Sequence, residues 1–146
     1  MTDKHHWTSP TTADIRELLR GARTVAVVGA SEKPTRPSYE VSSYLVTQTD
    51  YEVWFVNPSL TTLLGRPVFP SLADLPSPPD LVDVFRRRSE LANVADQAVT
   101  AKAGTLWFQL GLYDESVADA AASAGLTVVM DRCLRVQHSW LIGPSR

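Results

Sequence analysis

The chain has 146 residues and a mass of 16.1 kDa, with 44% hydrophobic and 21% charged residues, which fits one globular domain and excludes a disordered tract. A net charge of −2 and a pI of about 5.9 exclude the strong basic excess of a dedicated nucleic-acid binder. The longest apolar run, Val25 to Ala30, is far short of the ~20 residues a membrane helix needs, and a single cysteine, Cys133, excludes an internal disulfide framework.

No apolar signal-peptide core lies in the first twenty residues, so the expected location is the cytoplasm. Residues 1–10 are polar and aperiodic and are expected to form a loose arm, with residues 11–146 as a single domain. A helix is predicted from Thr11-Thr12-Ala13-Asp14, with Ile15, Leu18 and Leu19 on one face and Gly21 ending it.

Apolar runs follow at Thr24–Val28, Val53–Val56, Leu81–Phe85, Leu106–Leu110 and Leu126–Met130. They do not alternate apolar with polar residues. Such continuous runs suit a parallel sheet, whose two faces are both covered. Helical spacing of apolar residues recurs at Tyr39–Gln48, Ser89–Lys102 and Asp114–Ala124, and Leu134–Leu141 reads as a short terminal helix. Gly104 and Gly125 sit where C′ glycines belong. Residues 57–80 are crowded with proline and carry one short candidate helix, Ser71–Leu75, so an irregular crossover is expected. Strands alternating with helices predict an α/β fold: a Rossmann-like, doubly wound, parallel five-stranded sheet of order 3-2-1-4-5, helices on both faces.

In such sheets the ligand lies beyond the carboxyl ends of the strands. Those ends carry Gly29, Ala30, Ser31, Lys33 and Arg36 after strand 1, Asn57 and Pro58 after strand 2, Phe85 and Arg86 after strand 3, Gln109 and Gly111 at strand 4, and Arg132 and Cys133 after strand 5. Cations stand at three of the five ends, which points to a polyanionic ligand. The first loop is not the dinucleotide fingerprint G-x-G-x-x-G, because Ser31 and Pro34 replace its second and third glycines and Asn57 replaces the acidic residue. A P-loop is absent. Lys33 and Arg36 as solvated loop charges remain a bland alternative.

Six motifs carry a resemblance: Val27 to Tyr39, Val56-Asn57-Pro58, Pro70 to Pro76, Val82 to Arg87, Trp107 to Gly111 and Val129 to Leu134. Together they resemble the stand-alone CoA-binding protein family, similar to the N-terminal CoA-binding domain of the succinyl-CoA synthetase α subunit, over Ile15 to Leu141. The resemblance implies that the chain binds coenzyme A or an acyl-CoA. It places Gly29-Ala30-Ser31, Lys33 and Arg36 at the phosphates, Asn57-Pro58 beside the adenosine, and Phe85-Arg86 after strand 3. The synthetase relatives use a phosphohistidine on a second domain, and the 146 residues hold no such domain. His5 and His6 fall in the arm, and His138 is expected to be a partly exposed packing residue. Asp83 and Asp131 are expected to be structural hydrogen-bonders. No metal or catalytic constellation is visible, so a non-catalytic binding protein is expected. The alternatives are an NAD(P)-binding redox-sensing domain and an interaction protein that has lost its ligand. Cys133 is either a buried apolar side chain, the favoured role, or a thiol at the ligand rim. Trp7 and Trp140 cover an apolar edge, which is favoured, or a contact in a homo-oligomer.

Overall fold

The computed structural model describes residues 6–145. In chain order it contains α1 (Thr12–Gly21), β1 (Thr24–Val28), α2 (Pro37–Gln48), β2 (Glu52–Val56), β3 (Thr62–Leu63), β4 (Arg66–Phe69), β5 (Leu81–Val84), α3 (Leu91–Thr100), β6 (Thr105–Phe108), α4 (Glu115–Ser123), β7 (Thr127–Val129) and α5 (Leu134–Leu141), with 3₁₀ turns at Leu72–Asp74 and Arg88–Glu90. No helix among the described residues is long and apolar enough to cross a membrane.

The sheet has seven strands in the order β3-β4-β2-β1-β5-β6-β7, parallel except for the β3–β4 hairpin. The five-stranded expectation is therefore corrected. Among the five predicted strands the third, β5, pairs with β1 and not with β2. The place beside β2 is taken by β4, through Phe55 opposite Val68 and Val56 opposite Phe69. Counting β4 as the third main strand restores the doubly wound order 3-2-1-4-5-6. A clasp at the amino ends holds β5 against β1. The Asp80 carboxylate accepts from Arg23 N (2.8 Å) and Thr24 N (3.1 Å), and Asp80 N donates to Thr24 Oγ1 (2.9 Å).

Both faces are covered, as the unbroken apolar strands require. Ile15 and Leu19 of α1, Val41 and Leu45 of α2 and Leu134 of α5 pack on Val25, Val27, Phe55 and Trp107. On the opposite face Leu91, Val94 and Ala98 of α3 and Val117 and Ala121 of α4 pack on Ala26, Val82, Val84, Leu106 and Phe108. α1 begins where the helix start is predicted, with a capping box: Thr11 Oγ1 accepts from Asp14 N (3.1 Å) and Asp14 Oδ2 accepts from Thr11 N (3.0 Å).

Several local expectations need correction. Gly104 does not carry the left-handed residue after α3; Lys102 does, at φ +60. Gly104 is required for a different reason, since a Cβ there would lie 2.9 Å from the Asp80 carbonyl oxygen. The predicted helix at Ser71–Leu75 is a 3₁₀ turn at Leu72–Asp74, with Ser71 Oγ donating to Asp74 Oδ2 (2.8 Å). The first five residues of the arm lie outside the described residues, but Trp7 is anchored. Its indole Nε1 donates to the Val128 carbonyl (2.7 Å), its backbone N–H donates to Asp119 Oδ1 (2.5 Å), and its ring meets Tyr113 edge-on. Trp7 thus covers the outer edge at β7. Trp140, by contrast, is 76% exposed and packs against neither core cluster.

Candidate functional site

A cleft of about 900 Å³ opens over the carboxyl ends of β1, β5 and β6. Of the predicted site residues it brings together Gly29, Ala30, Ser31, Lys33, Arg36, Asn57, Phe85, Arg86, Gln109 and Cys133. Pro58, Gly111 and Arg132 lie outside its lining. The third cationic strand end therefore adds no charge to the cleft.

Gly29 begins the site. Its φ of +84 is left-handed, and a Cβ would fall 2.2 Å from the Phe85 carbonyl oxygen. The turn after β1 is thereby pressed against the end of β5, which brings Lys33 and Arg36 to the side of Arg86. The Phe85 N–H donates to the Val28 carbonyl (2.8 Å) and the Gly29 N–H to the Val56 carbonyl (3.2 Å), which locks three strand ends together. Ser31 Oγ accepts from Lys33 N (3.1 Å), and Arg36 N donates to the Lys33 carbonyl (3.0 Å). The loop is therefore a built turn, while the Lys33 and Arg36 side chains stand exposed.

Asn57 is a strut. Its Nδ2 donates to the Ala30 carbonyl (2.8 Å) and its Oδ1 accepts from Ser59 N (2.7 Å). The second bond turns the chain outward, which leaves Pro58 exposed and off the cleft. Arg36 caps α2 and Pro37 occupies the first helical position. Pro37 has no N–H, and the Tyr39 N–H donates to the Arg36 carbonyl (3.0 Å). The free helical donor facing the cleft is thus that of Ser38, a buried residue of its lining. Arg86 pairs weakly with Glu90 at 3.7 Å, both side chains well exposed, so Arg86 can turn to a ligand at little cost. Arg87 and Arg88 are exposed and outside the cleft.

The far wall is built from loops after β6 and β7. Gln109 is buried and its Oε1 accepts from Leu134 N (3.0 Å), capping α5 from the neighbouring strand. Asp131, at φ +58, accepts from Gly111 N (2.7 Å), as a structural carboxylate should. Trp107 Nε1 donates to the Arg132 carbonyl (2.8 Å), which fixes that backbone behind the wall. Cys133 is half-buried and reaches the lining, so its favoured role as a fully buried side chain is corrected. Leu110 and Leu112 also line the cleft. Sequence reasoning passed them over because leucines at a strand end read as core.

Two titratable groups outside the cleft depart from expectation. Asp83 is wholly buried, and both carboxyl oxygens lack a hydrogen-bond partner among the described residues. Burial holds its pKa well above the usual carboxylate range. It is therefore not the hydrogen-bonder expected from sequence. His138 is buried, not partly exposed. Its Nδ1 lies 2.8 Å from Tyr44 Oη, its ring meets those of Tyr44 and Tyr51 edge-on, and burial lowers its pKa.

The family model described as a CoA binding domain matches residues 23–139. YneT of Bacillus subtilis strain 168 is 37% identical over 131 residues, spanning 90% of this chain and 96% of that protein. A hypothetical protein from Pyrococcus horikoshii OT3 has a similar structure, with a TM-score of 0.88 and 35% identity, covering 98% of this chain and all of that one, 100%. The apo form of a dinucleotide-forming acetyl-coenzyme A synthetase 1 from Ca. Korarchaeum cryptofilum shares the fold, with a TM-score of 0.66 and 23% identity over 77% of this chain and 26% of that one.

Proposed function

The chain belongs to the CoA binding domain family, and from that premise we propose that it binds coenzyme A in the cleft over β1, β5 and β6, as a cytoplasmic binding protein with no chemistry of its own. The observation that carries this reading is the gathering of Lys33, Arg36 and Arg86 along one wall by the Gly29 turn. Coenzyme A carries a pyrophosphate and a 3′-phosphate. Three exposed cations and a helix-terminal N–H suit that charge, and a guanidinium can grip a phosphate through two N–H groups. The absence of a ribose-binding carboxylate at Asn57, whose amide is already committed to the loop, favours coenzyme A over a nicotinamide dinucleotide.

No nucleophile of the lining has a base beside it among the described residues: Ser31 Oγ serves its own loop, Glu40 is held by Arg135 at 3.0 Å, and the Cys133 thiol has no hydrogen-bonded base. Acetyl-CoA incubated with the protein should therefore hydrolyse no faster than in buffer. Calorimetry with coenzyme A, dephospho-CoA and NAD tests the binding itself. Coenzyme A should bind most tightly and dephospho-CoA more weakly, through loss of the 3′-phosphate contact. Equal or tighter binding of NAD would sink the assignment.

A further inference from the structure

We propose that the cleft takes acyl-CoA thioesters with an apolar acyl group, and that the turn Gln109–Leu112 is the surface against which that group packs; this rests on the coenzyme A reading of the cleft. Strand order arranges the chemistry of the rim. The cations Lys33, Arg36 and Arg86 belong to the ends of β1 and β5, while Leu110, Leu112 and Cys133 belong to the ends of β6 and β7. β5 lies between β1 and β6, so Lys33 and Arg36 stand two strand spacings, about 10 Å, from the end of β6, and Arg86 one spacing, about 5 Å. A ligand with phosphates on the first region would extend its other end across the second.

Leu110 is 68% exposed, among the most exposed large apolar side chains of the described residues. A scattered exposed leucine needs no explanation, but this one is held out by a built turn. The Leu112 N–H donates to the Gln109 carbonyl (2.9 Å), and Gly111 takes φ +91 at the third position, as a type II turn requires. Asp131 grips the same turn from both sides, accepting from Gly111 N (2.7 Å) and donating its own N–H to the Leu112 carbonyl (3.1 Å). The turn is pinned at its base, and Leu110 stands at its tip in the cleft wall.

The same arrangement excludes an acidic acyl group. The cations lie on the other wall, Arg132 is outside the lining, and the Arg135 guanidinium is engaged by Glu40. A carboxylated chain would meet leucine and a half-buried thiol, and Arg86, the cation on the adjacent strand end, is committed to the phosphates.

The test is calorimetry of the full chain with coenzyme A, acetyl-CoA, butanoyl-CoA, hexanoyl-CoA and succinyl-CoA, repeated with Leu110→Ser, an exposed position where the variant should fold. Each methylene that reaches the turn should tighten binding by about fourfold, so hexanoyl-CoA should bind roughly tenfold or more tightly than acetyl-CoA. Succinyl-CoA should gain nothing over acetyl-CoA. In Leu110→Ser the ratio of hexanoyl-CoA to acetyl-CoA affinity should fall several-fold. A flat series in a protein that still binds coenzyme A would overturn the acyl proposal alone. A rising series untouched by Leu110→Ser would move the acyl group elsewhere and overturn it equally. Failure of every coenzyme A compound to bind would instead remove the coenzyme A reading on which it rests.

Discussion

Gly29 is the residue on which the site's geometry turns. Any side chain at this position meets the Phe85 carbonyl well inside van der Waals contact, at a left-handed φ that costs strain of its own. Gly29→Ala should therefore destabilise the fold by roughly 2–4 kcal/mol, and urea denaturation would measure it. A loss under about 1 kcal/mol would mean that the β1 and β5 ends separate easily. Arg36 is the opposite kind of residue, exposed and free of any ion pair among those described. Arg36→Ala should leave stability unchanged and weaken coenzyme A by roughly tenfold to a hundredfold, the worth of a charge-assisted phosphate contact. Unchanged affinity would mark Arg36 as a solvated loop charge. Gly29 and Arg36 were both legible in the sequence, because a glycine after an apolar strand followed by cations has few uses. Leu110 was not, because its exposure depends on a turn closed by Asp131, twenty residues away.

At the scale of elements, the strands that read as unbroken apolar runs are all present, since burial on both faces leaves a local signature. The β3–β4 hairpin left none. Pro67 sits inside β4, and prolines on either side made the segment look irregular. Its pairing with β2 is non-local and edge-like, which proline tolerates. Sheet order was misjudged for the same reason, because one unseen strand shifts the place of every later one. The Trp7 clasp at the other edge was half legible. A tryptophan in a polar arm suggested a cover but not the Val128 carbonyl it satisfies. A free strand edge invites pairing with another chain. Trp7→Ala should thus cost roughly 1.5–3 kcal/mol, through one hydrogen bond and a half-buried ring, and should raise the tendency to self-associate. Thermal unfolding and light scattering would check both, and an unchanged melting temperature would show that the arm docks without stabilising.

For the whole molecule, two buried groups on the face covered by α1, α2 and α5 bend stability with pH in opposite senses. Burial raises the folded pKa of Asp83, so it keeps its proton to higher pH in the fold than in the unfolded chain, which ionises above its ordinary value near 3.9. The folded state then binds more protons, so Asp83's contribution is complete below that value and is lost as pH rises toward its raised folded pKa. His138 behaves in reverse. Its folded pKa lies below the ordinary value near 6.5, so its contribution is present above 6.5 and is lost as pH falls through the lowered value. Stability should accordingly fall on both sides of a maximum, with Asp83 responsible for the alkaline limb. Asp83→Asn keeps a neutral side chain of the same shape and removes the proton. It should flatten the loss of melting temperature as pH rises above about 6.5, where His138 no longer contributes and a single group can contribute at most about 1.4 kcal/mol per pH unit. The acid limb, which belongs to His138 and the exposed carboxylates, should remain. Parallel profiles for the two proteins across the alkaline range would mean that Asp83 is already charged in the fold, satisfied by partners that the described residues do not provide.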